Sequence, residues 1–402
     1  MSAPLLELVR SRHVLVCVGA GGVGKTTVAA ALALEAARRG RRTVVITIDP
    51  ARRLADALGL DDLGNEPRPL PGEVLASLEM GAGGELSAMM LDMKRTFDDL
   101  VERFAPDPQT RQRILSNPIY QHVSDALAGS AEYSAMEKVY ELSQRETFDL
   151  IVVDTPPSQH ALDFLDAPQR LIAFLDSRLV QLLVHPAFAA GRLGFRVFQR
   201  PAHGALKIVE RVSGVAFLED ISEFVLAFEG MSEGFRERAR QVRALLLGPR
   251  SGFVLVSGPG SRAIGDARRF LGRLESGGIP VAGVIFNRMR TWPEGGDPPA
   301  QVPLGGQGEA AVRSLAAAFA ASEGESFPAE RAARAAIEAV AGYASAVRRD
   351  REVTEALVAE AGGTLGFAAR VPELPLDVHD LEGLSRIAAH LFPGEDARGD
   401  GT

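Results

Sequence analysis

The sequence predicts an α/β fold, a doubly wound and mostly parallel sheet that carries an inserted helical subdomain. Six short apolar runs, Val14–Val18, Thr43–Asp49, Leu150–Asp154, Phe253–Ser257, Val281–Asn287 and Leu365–Val371, alternate with helical stretches. Continuous apolar strands separated by helices are what a sheet covered on both faces requires. The first run passes through Gly19-Ala20-Gly21-Gly22-Val23-Gly24-Lys25-Thr26-Thr27 into an alanine-rich stretch that closes at Gly40, which reads as a strand, a tight loop and a helix. About a hundred residues separate the second and third runs, far more than a crossover helix needs, so something is inserted there.

The glycine-rich loop fits G-x-x-x-x-G-K-[ST] in the setting that gives the pattern its meaning. Its glycines let the backbone curl so that successive N–H groups face phosphate oxygens, and the following helix start adds partial positive charge. Gly19, Gly21, Gly22, Val23, Gly24, Lys25, Thr26 and Thr27 are therefore the candidate phosphate-binding residues. Lys25 reaches the terminal phosphates, and the Thr26 hydroxyl is placed to ligate Mg²⁺. The expectation is a P-loop NTPase fold with one nucleotide per chain.

Composition narrows the partners. The chain has 402 residues, of which 46% are hydrophobic, enough for a large core. A net charge of -8 argues against a dedicated nucleic-acid binder. The single cysteine, Cys17, excludes an intramolecular disulfide and any C-x-x-C pair, and its place in the first strand reads as a buried, inert thiol. No basic leader precedes a long apolar core, so a cytoplasmic location is expected. Leu171–Gln199 is apolar but broken by Asp176, Arg178, His185 and Pro186, and reads as a packed helical pair.

Within the insertion, Leu86, Met89, Met90, Met93, Phe97, Leu100, Val101 and Phe104 recur at helical spacing, and a second helical run covers Asp125–Glu146. Residues 169–248 again read as helical, with Leu218, Ile221, Phe224, Val225 and Phe228 on one stripe. The expected organisation is one domain, with a nucleotide-binding core of 1–84, 146–168 and 249–402 and a helical subdomain of 85–145 and 169–248. Met89, Met90 and Met93 are expected in core packing, the alternative being a flexible apolar groove for a client. Thr291–Gly308, rich in Gly and Pro, reads as a mobile loop, followed by helices over 309–322 and 328–359.

Two carboxylates end strands at the same edge of the expected sheet as the loop. Asp154 is placed to hold Mg²⁺, the bland alternative being a cap for the next helix. Asp49 admits two readings, a residue that orients the attacking water or an ordinary turn carboxylate. His160 likewise either couples nucleotide state to movement or caps a helix.

Taken in order, the loop at Gly19–Thr27, DPARRLADALGL from Asp49 to Leu60, DTPPSQHALDFL from Asp154 to Leu165 and VIFNR from Val284 to Arg288 resemble a known family. They are similar to the arsenical pump-driving and tail-anchored-protein-targeting ATPases, the ArsA-like anion-transporting ATPases. GSAEYSAM from Gly129 to Met136 and VPELPLDVHDLEGL from Val371 to Leu384 extend the resemblance over most of the chain. The resemblance implies ATP and Mg²⁺, dimers that close around nucleotide, Asp49 placing water in a first switch, Asp154 opening a second switch, and Asn287 reading the adenine edge. A carboxamide can pair with a donor and an acceptor together, which suits that last role.

Two departures stand out. Family loops carry a lysine where this chain has Ala20, so a cation that reaches across the dimer is missing; Arg52 or Arg53 is the candidate substitute. The lone Cys17 excludes thiolate capture of metalloids and a zinc-clamped dimer seam. The expected function is a Mg-dependent ATPase whose turnover rearranges the helical subdomain for transport or targeting, as a homodimer or paralogue heterodimer with a membrane-protein partner or client. The alternatives are a nucleotide-gated binding module with little turnover, or a partitioning ATPase.

Overall fold

The computed structural model describes residues 3–49, 51–76, 78, 80–117, 120, 131–156, 232–279, 281–293, 296–300, 302, 308–323 and 327–393. The chain runs α1 (Ala3–Ser11), β1 (Val14–Val18), α2 (Lys25–Arg38), β2 (Arg42–Thr47), α3 (Arg53–Ala57), β3 (Arg68–Pro69), α4 (Gly72–Ala76) and β4 (Glu85–Met90). It continues with α5 (Met93–Phe104), α6 (Pro108–Ser116), α7 (Ala131–Gln144), β5 (Leu150–Asp154), α8 (Ser232–Leu247), β6 (Ser251–Ser257) and α9 (Ser261–Ser276). Last come β7 (Val281–Met289), α10 (Glu309–Glu323), α11 (Ala329–Glu360), β8 (Phe367–Pro372) and α12 (Leu381–Leu391).

The strands form one sheet in the order β3-β4-β2-β5-β1-β6-β7-β8. All neighbours are parallel except β3 on β4. Because side chains alternate along a strand, each strand feeds two cores. Val14, Val16 and Val18 of β1, with Ile151 and Val153 of β5, face one core, where they meet Leu100 and Val101 of α5, Val139 and Leu142 of α7, and Val242 of α8. Leu15 and Cys17 of β1, with Leu150 and Val152 of β5, face the other, beneath α2. That helix is buried nearly all round, since α1 and α12 cover its outer side. Its alanines, among them Ala29, Ala30, Ala33 and Ala37, let it lie close against the sheet.

The expected α/β architecture is observed, with one correction in the insertion. Residues 85–90 are a strand paired with β2, not the first turns of a helix. Leu86 and Ala88 enter one core and Met89 the other, the period-two pattern of a strand buried on both faces. Leu86, Met89, Met90 and Met93 satisfy helical spacing only by continuing into α5, whose true start is capped by the Asp92 carboxylate on Arg95 N. Met89 is core, so the methionine trio does not line one groove. The second helical run is seen as α7, while 121–130, His160, Leu171–Gln199 and the Leu218–Phe228 stripe lie outside the described residues.

The segment read as a mobile loop is tied down where it is described. Arg290 reaches the buried Asp350 of α11 at 3.1 Å, Tyr343 Oη donates to Thr291 O at 2.9 Å, and Trp292 packs on the Tyr343 ring. Arg351 pairs with Asp297, and Arg348 donates to Pro299 O. Composition signalled a loop correctly, but not the row of partners that α11 offers it.

Between α7 and α8 lies a buried ion pair. Glu137 is 2% exposed and accepts from Arg238 Nε and Nη2, the shortest contact being 2.6 Å, while the Arg238 guanidinium also stacks over Tyr140. Burial raises the Glu137 carboxyl above the usual range, against the pull of Arg238 and Arg103. Removing one partner strands the other charge. Arg238→Ala should therefore lower unfolding free energy in urea by about 3–5 kcal/mol, and the double change Glu137→Gln, Arg238→Met should lose clearly less.

Candidate nucleotide site

The site is built where the carboxyl ends of β1, β2 and β5 come level. Register pairs Cys17 with Asp154 and Thr47 with Asp154, so the loop after β1 and the last residues of β2 and β5 converge. Gly19 opens that loop against β6: a Cβ there would lie 2.1 Å from Val256 O. Gly24 closes it at φ 89°, and a Cβ there would lie 2.2 Å from Asn287 Nδ2. Both positions thus require glycine, the first for close approach and the second for its left-handed conformation as well. No side chain caps the first turn of α2, which leaves its N–H groups for an anion.

Lys25 is 6% exposed and donates from Nζ to Ala20 O at 3.0 Å. Burial lowers its ammonium pKa, an effect opposed by Asp154 and Asp49, so the site stores a desolvated cation beside two carboxylates. Asp154 is 1% exposed; its Oδ2 accepts from Thr26 Oγ1 at 2.7 Å and from Thr47 Oγ1 at 2.9 Å. Its Oδ1 is buried with no hydrogen-bond partner among the described residues. Burial pushes this carboxyl up to about 6. A hydroxyl and a carboxylate with an unused buried oxygen form a hard-oxygen donor set that fits Mg²⁺, which needs few protein ligands.

Asp49 lies at the mouth. Its Oδ1 accepts from Ala51 N at 3.0 Å, and Arg53 Nη1 stands 3.7 Å from its Oδ2. That contact is one a turn carboxylate makes, and the same side chain lines the cavity with Lys25. Arg53 lines it too. Cys17 is fully buried, and burial with Asp154 nearby raises its thiol pKa, as an inert thiol requires.

Asn287 arrives by a device the sequence does not announce. Phe286 pairs with Arg370 and Met289 with Pro372, so β7 spends three steps where β8 spends two, a β-bulge at Asn287–Arg288. The bulge turns Asn287 beneath the loop, where its Nδ2 donates to Val23 O at 2.9 Å. A cavity of about 520 Å³ is lined by Gly22, Gly24, Lys25, Thr26, Thr27, Asp49, Arg53, Thr155, Asn287 and Arg288, and by the segment from Pro372 to His379. Across the loop lies a second cavity of about 1040 Å³, lined by Ala20 and Gly21, Asn287, Arg288 and one face of α9.

The sequence pattern of the family described as anion-transporting ATPase matches residues 12–297, which include the P-loop, Asp49, Asp154 and Asn287. The chain belongs to that family. Similar proteins include an ATPase get3 of Schizosaccharomyces japonicus, 32% identical over 153 residues, 37% of this chain and 42% of the relative. An ATPase ARSA1 of Chlamydomonas reinhardtii is 26% identical over 307 residues, 72% of this chain and 36% of the relative. A putative arsenical pump-driving ATPase of Halobacterium salinarum is 29% identical over 170 residues, 42% of this chain and 26% of the relative. The chain thus spans about two fifths or less of these relatives' lengths.

Of the residues proposed from sequence, Gly22, Gly24, Lys25, Thr26, Thr27, Asp49 and Asn287 line the first cavity and Asp154 meets it through Thr26, while Gly21 and Val23 line the second cavity and Gly19 packs on β6. Thr47, Thr155 and the Pro372–His379 wall were not singled out. Thr47 is a strand residue like any other in sequence, and only the β2–β5 register sets its hydroxyl against Asp154. The wall residues fall in the Val371–Leu384 segment already noted for its resemblance, but nothing in that segment marks a particular side chain.

Gly24→Ala should cost about 1–3 kcal/mol in urea unfolding, because the methyl meets both a left-handed backbone and the Asn287 amide. Asp154 sets a pH signature. Its folded pKa near 6 lies above its ordinary value of 3.8, so its contribution to stability is full below about pH 4 and is lost as pH rises through 6. In metal-free protein Asp154→Asn should flatten the dependence of the unfolding midpoint on pH between 4 and 6; an unchanged slope contradicts the assignment.

Proposed function

We propose that this chain binds Mg-ATP in the cavity over Lys25 and hydrolyses it to ADP and phosphate. The observation that carries the reading is the pairing of a desolvated Lys25 with the Thr26–Asp154 contact at the mouth of an uncapped helix. Loop amides and the α2 first turn cradle the polyphosphate, and Lys25 exchanges its contact with Ala20 O for phosphate oxygen. Thr26 and Asp154 would hold Mg²⁺, which when bound draws charge from the phosphoryl group undergoing transfer. Asp49, fixed by Ala51 N, orients water for attack on the γ-phosphorus as the bond to the bridging oxygen breaks.

Asn287 already uses its Nδ2 on Val23 O, so its part in adenine recognition falls to its carbonyl oxygen, or requires the loop contact to open. Turnover is coupled to a helical subdomain that begins after β4 and includes α5 to α8. The working unit is a homodimer or paralogue heterodimer in the cytoplasm, acting on a membrane-protein partner or client and not on nucleic acid. Among the described residues no helix is long and apolar enough to cross a membrane.

Ala20 supports a second reading, a nucleotide-gated binding module with little turnover, since the loop has lost a cation at the reacting end. Steady-state phosphate release separates the two. The enzyme reading expects magnesium-dependent release at least tenfold above a Lys25→Ala control, and a further rise on Ala20→Lys. Binding of Mg-ATP with release no faster than that control would leave the module reading standing and remove the other.

A further inference from the structure

Arg288 has a backbone conformation that a long side chain seldom takes. It is a long side chain at φ 58°, in the left-handed region that favours glycine, and it sits in the β7 bulge. Its side chain is 57% exposed, with Nη1 3.5 Å from Gly22 O and Nη2 3.9 Å from Asp377 Oδ1. Both contacts are at the limit of useful range, so most of its five donors stay available. It lines both cavities that flank the P-loop.

The charges on the two sides differ. In the outer cavity Arg262, Arg269 and Arg273 stand against Asp266 alone, and like charges disfavour a fourth guanidinium there. On the nucleotide side, Asp49, Asp56, Glu373 and Asp377 line the cavity with Lys25 and Arg53, and Arg53 is already beside Asp49. A polyphosphate entering among four carboxylates needs cations beyond Lys25 and a divalent ion. Besides Lys25, Arg53 and Arg288 line that cavity; Arg53 is drawn to Asp49 at 3.7 Å, whereas Arg288 stands against Gly22 O of the loop itself.

We propose that Arg288 is a phosphate-binding residue, turning into the nucleotide cavity so that its guanidinium takes polyphosphate oxygens in place of Gly22 O and Asp377. The inference rests on the nucleotide reading above and adds to it the residue that completes the charge around the polyphosphate. Arg288 follows Asn287 within the bulge, and Asn287 is itself bonded to the loop, so the guanidinium starts beside the P-loop. A planar fork suits two phosphate oxygens, whereas lysine offers a point charge.

The test is calorimetric binding of Mg-ATP, with adenosine as competitor, to the full chain and to Arg288→Gly and Arg288→Lys. Glycine accepts the left-handed backbone, so the first variant should keep its melting temperature. Expected are a loss of about 10- to 100-fold in ATP affinity for Arg288→Gly, an intermediate loss for Arg288→Lys, a shallower salt dependence in the glycine variant, and adenosine competition unchanged. Unchanged ATP affinity, or equal loss for ATP and adenosine, overturns the proposal while leaving the nucleotide reading intact. Failure of the unaltered chain to bind Mg-ATP overturns both.

Discussion

The P-loop is clamped between two neighbours, and the site depends on that clamp. At one end Gly19 lies against the carbonyl of Val256 on β6; at the other Gly24 lies against the amide of Asn287 on β7. Neither gap admits a methyl group. The loop's shape is therefore imposed from outside by two strands far away in sequence as well as from inside by its glycines. A loop shaped by its neighbours in this way holds its N–H groups in place, which is the condition for binding an anion at little reorganisation cost.

Asp154 is held desolvated by its neighbours in the sheet and helix. Its Oδ2 takes two hydroxyl donors, Thr26 from the helix after the loop and Thr47 from the neighbouring strand, while Oδ1 has no partner among the described residues. A carboxylate left this way is raised toward neutrality by burial, and Lys25 beside it is lowered for the same reason. Each charge is an uneasy one held by the other and by backbone polarity. In the proposed Mg-ATP complex, a polyphosphate with a divalent cation would supply both with partners at once, making binding and the relief of desolvation one event.

Most of the sheet and the loop side of the site could be read from sequence because their signals are local. Continuous apolar runs mark β1, β2 and β5 to β8, and G-x-x-x-x-G-K-T carries its own chemistry. β4 escaped because Leu86, Met89 and Met90 satisfy a helical period as well as a strand one, and residues of α5 directly extend the helical pattern. Thr47 and the Asn287–Arg288 bulge escaped for another reason: their roles arise from register, and register between distant strands leaves no trace in either segment alone. Lys25, Thr26 and Asp154 were legible as candidates, yet the hydrogen bond joining Thr26 to Asp154 is a fact of three-dimensional alignment.

The bulged end of β7 also ties the nucleotide cavity to a distant element. Asn287 holds Val23 O, and three residues later Arg290 places both its backbone N–H and its guanidinium on Asp350, which is 3% exposed within α11. Thr291, Trp292, Asp297 and Pro299 then continue the attachment along the same helix. The C-terminal part of that 32-residue helix is packed into the body of the protein through Val353 and Leu357. Asp350 is buried while Arg290 stays 44% exposed, and one guanidinium nitrogen spans both carboxylate oxygens as the backbone N–H adds a third contact, so several bonds on one carboxylate anchor the strand end. Any displacement of Asn287 in the proposed nucleotide cycle would reach α11 along β7, with the bulge at Asn287–Arg288 standing between the loop contact and the Arg290–Asp350 anchor.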